Sequence, residues 1–136
     1  MTFQLNKTLE KDSFLITELK LCQVRLIDNE DFPWLLLIPR LSNLIEITDL
    51  NDEEYDLLNS EIKIVAKALQ HELTPDKLNI ATIGNVVTQL HFHIIARYNS
   101  DKLFPKPAWG CEFTPYSFKA RTQSIHRFKT VINQII

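Results

Sequence analysis

The sequence predicts an α+β fold built on an antiparallel sheet, and three features of the chain support this. Residues 77–98 contain two β-prone runs separated by a Gly84-Asn85 pair, which is typical of an antiparallel hairpin. Residues 32–40 (FPWLLLIPR) have the continuous apolar character of a buried strand. Residues 51–73 repeat Leu, Ile and Val at three- and four-residue steps, which indicates a long amphipathic helix with an apolar stripe facing the core.

The remaining elements are predicted from local signals. A short helix is expected within residues 6–14, capped by Asn6 or Thr8. Residues 15–27 alternate loosely and predict one strand or two short ones.

The two longer helices carry their own start signals. The long central helix has Asp49 or Asn51 as its cap, followed by acidic residues that favour the positive end of the helix dipole. A C-terminal helix is predicted from Ser117, with a wide apolar face that includes Phe118 and Phe128.

Composition and charge exclude several classes of protein. The 136 residues predict one domain spanning 1–136, and 45% apolar with 24% charged residues is ordinary for a soluble globular chain. A formal charge of −2 gives no global field toward nucleic acid or an anionic membrane. With only 2 glycines, a phosphate-binding loop of the Walker or dinucleotide type is excluded.

The compartment is predicted from what the sequence lacks. No apolar run has the length of a signal peptide core or a membrane span, so a cytoplasmic location is expected. Cys22 and Cys111 do not have CxxC spacing, and two reduced thiols are expected in preference to a disulfide.

The second run of the hairpin, predicted as a strand from Val86 through Ile95, carries the candidate chemistry. Side chains alternate faces along a strand, so Gln89, His91 and His93 share one face. The apolar residues between them face the other side, where a helix is expected to cover them. The polar face has three interpretations: structural imidazoles held by hydrogen bonds, a metal-binding pair, or one nucleophilic imidazole beside a polar partner.

Residues 84–95 (GNVVTQLHFHII) resemble the signature of the histidine triad (HIT) superfamily of nucleotide hydrolases and transferases. That signature is His-φ-His-φ-His-φ-φ, where φ is apolar. The resemblance extends over residues 28–109 and implies a five-stranded antiparallel sheet with a long central helix and a C-terminal helix. It is strongest to a bacterial branch, often labelled diadenosine tetraphosphate hydrolase-like, with Gln in the first triad position. The resemblance also implies a homodimer, and it implies no cofactor and no metal ion.

The resemblance assigns the catalytic roles. His91 matches the histidine that attacks the α-phosphorus of a nucleotide and forms a covalent nucleotidyl-histidine, and His93 matches the third histidine. Gln89 occupies the first position, where its amide can donate a hydrogen bond but cannot transfer a proton. Asn85 replaces the glutamine that precedes the motif, and Thr88 in the same motif is predicted to bind substrate.

The remaining substrate contacts are also implied by the resemblance. Asp28 is placed to accept hydrogen bonds from the ribose hydroxyls, which suits an ionised carboxylate. Trp34 stands where many members have a histidine and is either core packing or a wall of the base pocket. Trp109 is a possible contact to the base or to the partner subunit.

Three functions therefore stay open. The first is a metal-independent nucleotide hydrolase or transferase acting on dinucleoside polyphosphates, such as diadenosine tetraphosphate, or on related compounds. The second is a catalytically weak sensor that binds purine nucleotides on the same fold. The third is a metallohydrolase with His91 and His93 as ligands, which needs a third ligand such as Asp28 or Glu112.

Overall fold

A computed structural model describes residues 2–136 and shows five strands, three α-helices and one short 3-10 helix. In chain order they are α1 (Lys7–Asp12), β1 (Ser13–Glu18), β2 (Cys22–Ile27), β3 (Trp34–Pro39), the 3-10 helix (Ile47–Asp49), α2 (Asp52–Leu73), β4 (Lys77–Ala81), β5 (Phe92–Arg97) and α3 (Phe118–Ile135). The strands form one sheet in the order β1-β2-β3-β5-β4, and every neighbouring pair is antiparallel. The predicted α+β fold is confirmed.

Side-chain caps fix where the helices begin. Asn6 accepts a hydrogen bond from the backbone of Thr8 at the start of α1. Asn51, not Asp49, caps α2 and exchanges hydrogen bonds with Glu54 in a capping box. Ser117 caps α3 as predicted. These signals are local, so the sequence located the helix starts to within a residue or two.

The predicted strand boundary at Val86 is wrong. β5 begins at Phe92, and residues 82–91 form a connecting loop. Val86 is 93% exposed, so its apolar side chain belongs to no buried face. The backbone of this loop forms a hydrogen bond outside the sheet. In it, the backbone N–H of Leu90 donates to the carbonyl oxygen of Leu44, 2.9 Å away. Gly84 has a φ of +72°, a conformation that glycine adopts without strain.

Residues 15–27 form two strands joined by a tight turn. The backbone N–H of Leu19 donates to the carbonyl oxygen of Cys22, and buried Glu61 of α2 accepts from the backbone N–H groups of Leu21 and Cys22. Burial, and then the Glu61 carboxylate, raise the pKa of the Cys22 thiol. Cys22 and Cys111 are free thiols.

Apolar side chains fill both faces of the sheet. Helices α2 and α3 cover one face, which carries Phe92 and Ile94 of β5. The other face carries Trp34, Leu36 and Ile95. It is covered by Leu9 of α1, by part of the N-terminal segment (residues 2–6) and by the loop at residues 98–110, hereafter the 98–110 loop. This second face also holds the histidines of the motif.

The C-terminal helix buries Phe128, Val131 and Ile132 against the sheet and α2. The prediction that Phe118 belongs to its apolar face is wrong, because Phe118 is 74% exposed. The guanidinium of Arg121 lies over its ring, 5.0 Å from the ring centroid. Among residues 2–136, no helix has the length and apolar character needed to cross a membrane.

Candidate active site

His91 lies directly before β5 and is 6% exposed. Its Nδ1 is 2.7 Å from the backbone oxygen of Gln89. A carbonyl oxygen can only accept a hydrogen bond, so Nδ1 carries the ring proton of the neutral imidazole. The lone pair of His91 is therefore on Nε2, which is the arrangement that a nucleophilic nitrogen requires.

His93 is the second residue of β5 and has the opposite tautomer. The indole Nε1 of Trp34 lies 3.0 Å from its Nδ1. Because an indole N–H can only donate, Nδ1 of His93 is the acceptor and its proton is on Nε2. His93 is 8% exposed. Burial, and then the neighbouring His91, lower the pKa of His93 from 6.5 to about 4, so it is neutral at pH 7.

The two imidazoles are close enough to act on one group. Their ring centroids are 5.1 Å apart. One ring offers a lone pair and the other an N–H, so a phosphoryl group between them can be attacked by His91 while His93 donates to one of its oxygens.

Trp34 lies on β3 and is 2% exposed. Its ring makes edge contacts with Phe32, His93, Trp109 and Phe113, with centroid separations from 5.7 to 6.5 Å. This burial matches the core-packing alternative and leaves no indole face open for a purine in this structure. Trp109 is half-buried and its ring centroid lies 5.2 Å from that of His93. The buried Nε1 of Trp109 has no hydrogen-bond partner among residues 2–136.

A buried ion pair holds the 98–110 loop over this site. Arg97, the last residue of β5, pairs with Asp101 at 2.8 Å, and both side chains are at most 6% exposed. Arg97 also donates to the Asn79 side chain and to the backbone oxygen of Lys106. The Asp101 carboxylate accepts from backbone N–H groups of the loop, those of Tyr98, Leu103 and Phe104. The loop that carries Trp109 is thereby anchored to the sheet.

The Gln89 side chain is bound to the N-terminal segment. Its Oε1 accepts from the backbone N–H of Asn6 at 2.8 Å, and its Nε2 donates to the backbone oxygen of Gln4 at 2.9 Å. This amide therefore holds the N-terminal segment beside the histidines. The expectation that Gln89 donates to a phosphate stays a prediction, and it needs the bond from Nε2 to Gln4 to open or the second Nε2 hydrogen to be used.

The other candidate residues have different environments. One oxygen of Asp28 accepts from the backbone N–H of Tyr116 at 2.9 Å, which leaves the second oxygen for a ligand. Asn85 is exposed in the 82–91 loop. Thr88 and Gln89 line a groove of about 700 Å³ together with uncharged polar side chains of the N-terminal segment and with residues 42–45, of which Leu44 and Ile45 are apolar.

The described residues place no third metal ligand beside the histidine pair. No group of three or more His, Cys, Asp or Glu side chains within residues 2–136 is arranged to hold a metal ion. Neither Asp28 nor Glu112 therefore completes a metal site with His91 and His93.

Three features of the site were not predicted from the sequence. The Trp34–His93 bond and the Gln89 contacts join residues far apart in the chain, and no local pattern marks them. The Arg97–Asp101 pair could have been predicted, because the sequence has an arginine at the end of an apolar strand and an aspartate four residues later. A charged residue closing a buried strand needs a partner.

Comparison with known proteins places this chain in one family. The family model described as the HIT domain matches residues 8–100. The chain therefore belongs to the HIT domain family. No curated protein gives a significant match.

Solved structures of similar sequence agree with this assignment. A histidine triad protein from Bradyrhizobium japonicum is 36% identical, with 100% of this chain and 99% of that chain covered and a TM-score of 0.91. One from Marinobacter aquaeolei VT8 is 32% identical over 100% of both chains, with a TM-score of 0.96. One from Sinorhizobium meliloti 1021 is 33% identical, covering 98% of this chain and 97% of that chain, with a TM-score of 0.89.

Proposed function

We propose that this protein is a metal-independent nucleotide hydrolase or transferase that cleaves at the α-phosphorus of nucleoside 5′-phosphoryl compounds. Dinucleoside polyphosphates such as diadenosine tetraphosphate are the proposed substrates. The observation that carries the proposal is the bond from Nδ1–H of His91 to the Gln89 carbonyl oxygen. It leaves the Nε2 lone pair free to attack, and it stabilises the positive charge that the ring acquires on attack.

The proposed reaction has two steps. In the first, Nε2 of His91 forms a bond to the α-phosphorus, and the bond from phosphorus to the leaving oxygen breaks with its electron pair remaining on that oxygen. In the second, a water oxygen bonds to phosphorus, the P–N bond breaks, and its electron pair returns to Nε2. The surplus proton of the water passes to solvent. An acceptor hydroxyl in place of water makes the same chemistry a transfer reaction.

The surrounding residues bind and orient the substrate in this proposal. His93 donates from Nε2–H to a non-bridging phosphoryl oxygen, which offsets the charge that develops there. The free oxygen of Asp28 accepts from the ribose hydroxyls. Asn85 and Thr88 contact the phosphate chain from the 82–91 loop, and Trp109 contacts the base.

A second candidate function is a purine-nucleotide sensor with weak turnover. It is favoured by the bonds that occupy the Gln89 amide and by the low pKa of His93, about 4. Neither residue is a proton donor for a leaving group at pH 7, so a slow bond cleavage with normal nucleotide binding is consistent with this site.

The test is AMP release from diadenosine polyphosphates, an AMP phosphoramidate and ADP, with and without EDTA. We expect release that EDTA does not change and that His91→Ala abolishes. His93→Ala is expected to lower kcat by about 10²–10³, the usual effect of removing one donor to a developing oxyanion.

The same assay separates the alternatives. Nucleotide binding without release from any substrate would establish the sensor, and loss of activity with EDTA would establish a metal-dependent reaction. Release unchanged by His91→Ala would refute the proposed nucleophile.

We also propose a homodimer, on the basis of the family resemblance, and a cytoplasmic location, as expected from the sequence. The edge strand β4 supports this, because it carries Ile80 with 46% exposure and has a free edge within the described chain. A monomeric mass by light scattering at micromolar concentration would contradict the dimer.

A further inference from the structure

We propose that Trp34 is a positioning residue that holds His93 as a neutral hydrogen-bond donor through Nε2, and thereby restricts the site to leaving groups that depart without protonation. The inference rests on the proposed function, and it identifies the substrate class within it: polyphosphates in preference to phosphoramidates.

The contact between the two side chains defines the tautomer. Trp34 Nε1 and His93 Nδ1 are 3.0 Å apart, and both residues are at most 8% exposed. Protonating Nδ1 of His93 would set two N–H groups against each other in a region with little access to water. The loss of that hydrogen bond and the burial of a charge both oppose the imidazolium form.

The groups around His93 reinforce the neutral state. His93 pairs with Leu36 on β3 and with Ala81 on β4, and Trp109 faces it from the 98–110 loop. None of these three ionises. The titratable group that acts on His93 is His91, whose positive charge would oppose a second one. These effects of burial and of His91 are not opposed by any carboxylate among residues 2–136.

A neutral imidazole N–H stabilises oxyanions but is far too weak an acid to protonate a leaving atom near pH 7. The Gln89 amide is likewise too weak an acid to protonate a leaving atom. A phosphate or polyphosphate departs as a weakly basic anion and needs no proton, whereas the amine of a phosphoramidate does. The arrangement therefore favours P–O cleavage to a polyphosphate over P–N cleavage to an amine.

The direct test is ¹⁵N NMR of the imidazole nitrogens of His93 in the ligand-free protein between pH 5.5 and 8. The expected spectrum is a single tautomer with Nδ1 unprotonated and Nε2 protonated throughout this range. Protonation of His93 with a midpoint near 6.5, or a protonated Nδ1, would overturn the proposal. This measurement needs no activity, so it can fail or succeed independently of the proposed function.

Two tryptophan variants separate the hydrogen bond from ring packing. Trp34→Phe keeps an aromatic ring but removes the donor, and we expect His93 to become a mixture of tautomers with a higher pKa. Trp109→Phe removes an N–H that has no partner in the described chain, from a ring just as close to His93. It is expected to leave the tautomer of His93 unchanged. Equal effects of the two variants would assign Trp34 to packing alone.

The kinetic arm compares kcat/KM for a diadenosine polyphosphate and an AMP phosphoramidate at pH 7. General acid catalysis contributes about 10²–10⁴-fold where it operates, so the wild-type protein is expected to prefer the polyphosphate by at least about 100-fold. In Trp34→Phe the preference should shrink as the pH is lowered. Equal rates for both substrates in the wild type would refute the restriction on leaving groups.

Discussion

At the scale of single residues, the site depends on two imidazoles with opposite proton positions. The backbone of Gln89 fixes the proton of His91 on Nδ1, and the indole of Trp34 fixes the proton of His93 on Nε2. One ring is thus arranged to donate electrons and the other to donate a hydrogen bond. The proposed nucleophile and the proposed oxyanion donor are two copies of the same residue type, and they differ in their hydrogen-bond partners.

The low pKa of His93 predicts how stability depends on pH. In the unfolded chain His93 binds a proton below its ordinary pKa of about 6.5, whereas in the folded protein it does so only below about 4. The unfolded state therefore binds more protons between these values, and the free energy of unfolding falls as the pH is lowered through this window. The contribution of His93 is about 3 kcal/mol at most, since each pKa unit is worth 1.36 kcal/mol.

Urea unfolding at several pH values between 4 and 7 measures this effect. The matched variant is His93→Gln, which keeps an acceptor for Trp34 but does not titrate. Its free energy of unfolding is expected to change less over this range than that of the wild type. Identical slopes for the two proteins would contradict the proposed protonation state of His93.

At the scale of elements, two segments outside the sheet enclose the histidines. The N-terminal segment is held by the Gln89 side chain, and the 98–110 loop is held by the buried Arg97–Asp101 pair. The Arg97 guanidinium lowers the pKa of Asp101 to about 2; burial opposes this shift, and hydrogen bonds from the loop backbone assist it. The site geometry thus depends on contacts made by segments with no regular structure.

The Arg97–Asp101 pair is predicted to stabilise the protein far more than an exposed pair in the same loop. Asp101→Asn leaves the buried Arg97 without a counter-charge and should lower the free energy of unfolding by about 3–5 kcal/mol. Lys102→Ala breaks the pair with Asp31, in which the lysine side chain is 52% exposed, and should lower the free energy of unfolding far less, because an exposed ion pair contributes little. Denaturant unfolding measures both, and comparable losses would contradict the structural role of Asp101.

At the scale of the whole molecule, the features predicted correctly from the sequence are those that local patterns determine. The amphipathic repeat of α2 and the caps Asn51 and Ser117 are signals within a few residues, and the structure reproduces them. The start of β5 was misplaced because Val86 is apolar yet 93% exposed, which periodicity alone cannot distinguish from a strand residue.

The contacts that complete the site were not predictable in this way. Trp34 and His93 are 59 residues apart in the chain, and Asn6 and Gln89 are 83 apart. Such pairs follow from how β3, β5 and the N-terminal segment are arranged in space. The histidine motif indicated the chemistry, whereas the fold determined the protonation state of each histidine.

The central claim is that Nε2 of His91 is the nucleophile, and a trapped covalent intermediate tests it most directly. The protein would be mixed with a diadenosine polyphosphate, denatured within milliseconds to seconds at alkaline pH, and analysed by intact mass spectrometry and peptide mapping. We predict an adenylyl adduct on His91 that is absent from His91→Ala. Turnover without any adduct, or an adduct on His93, would contradict the account.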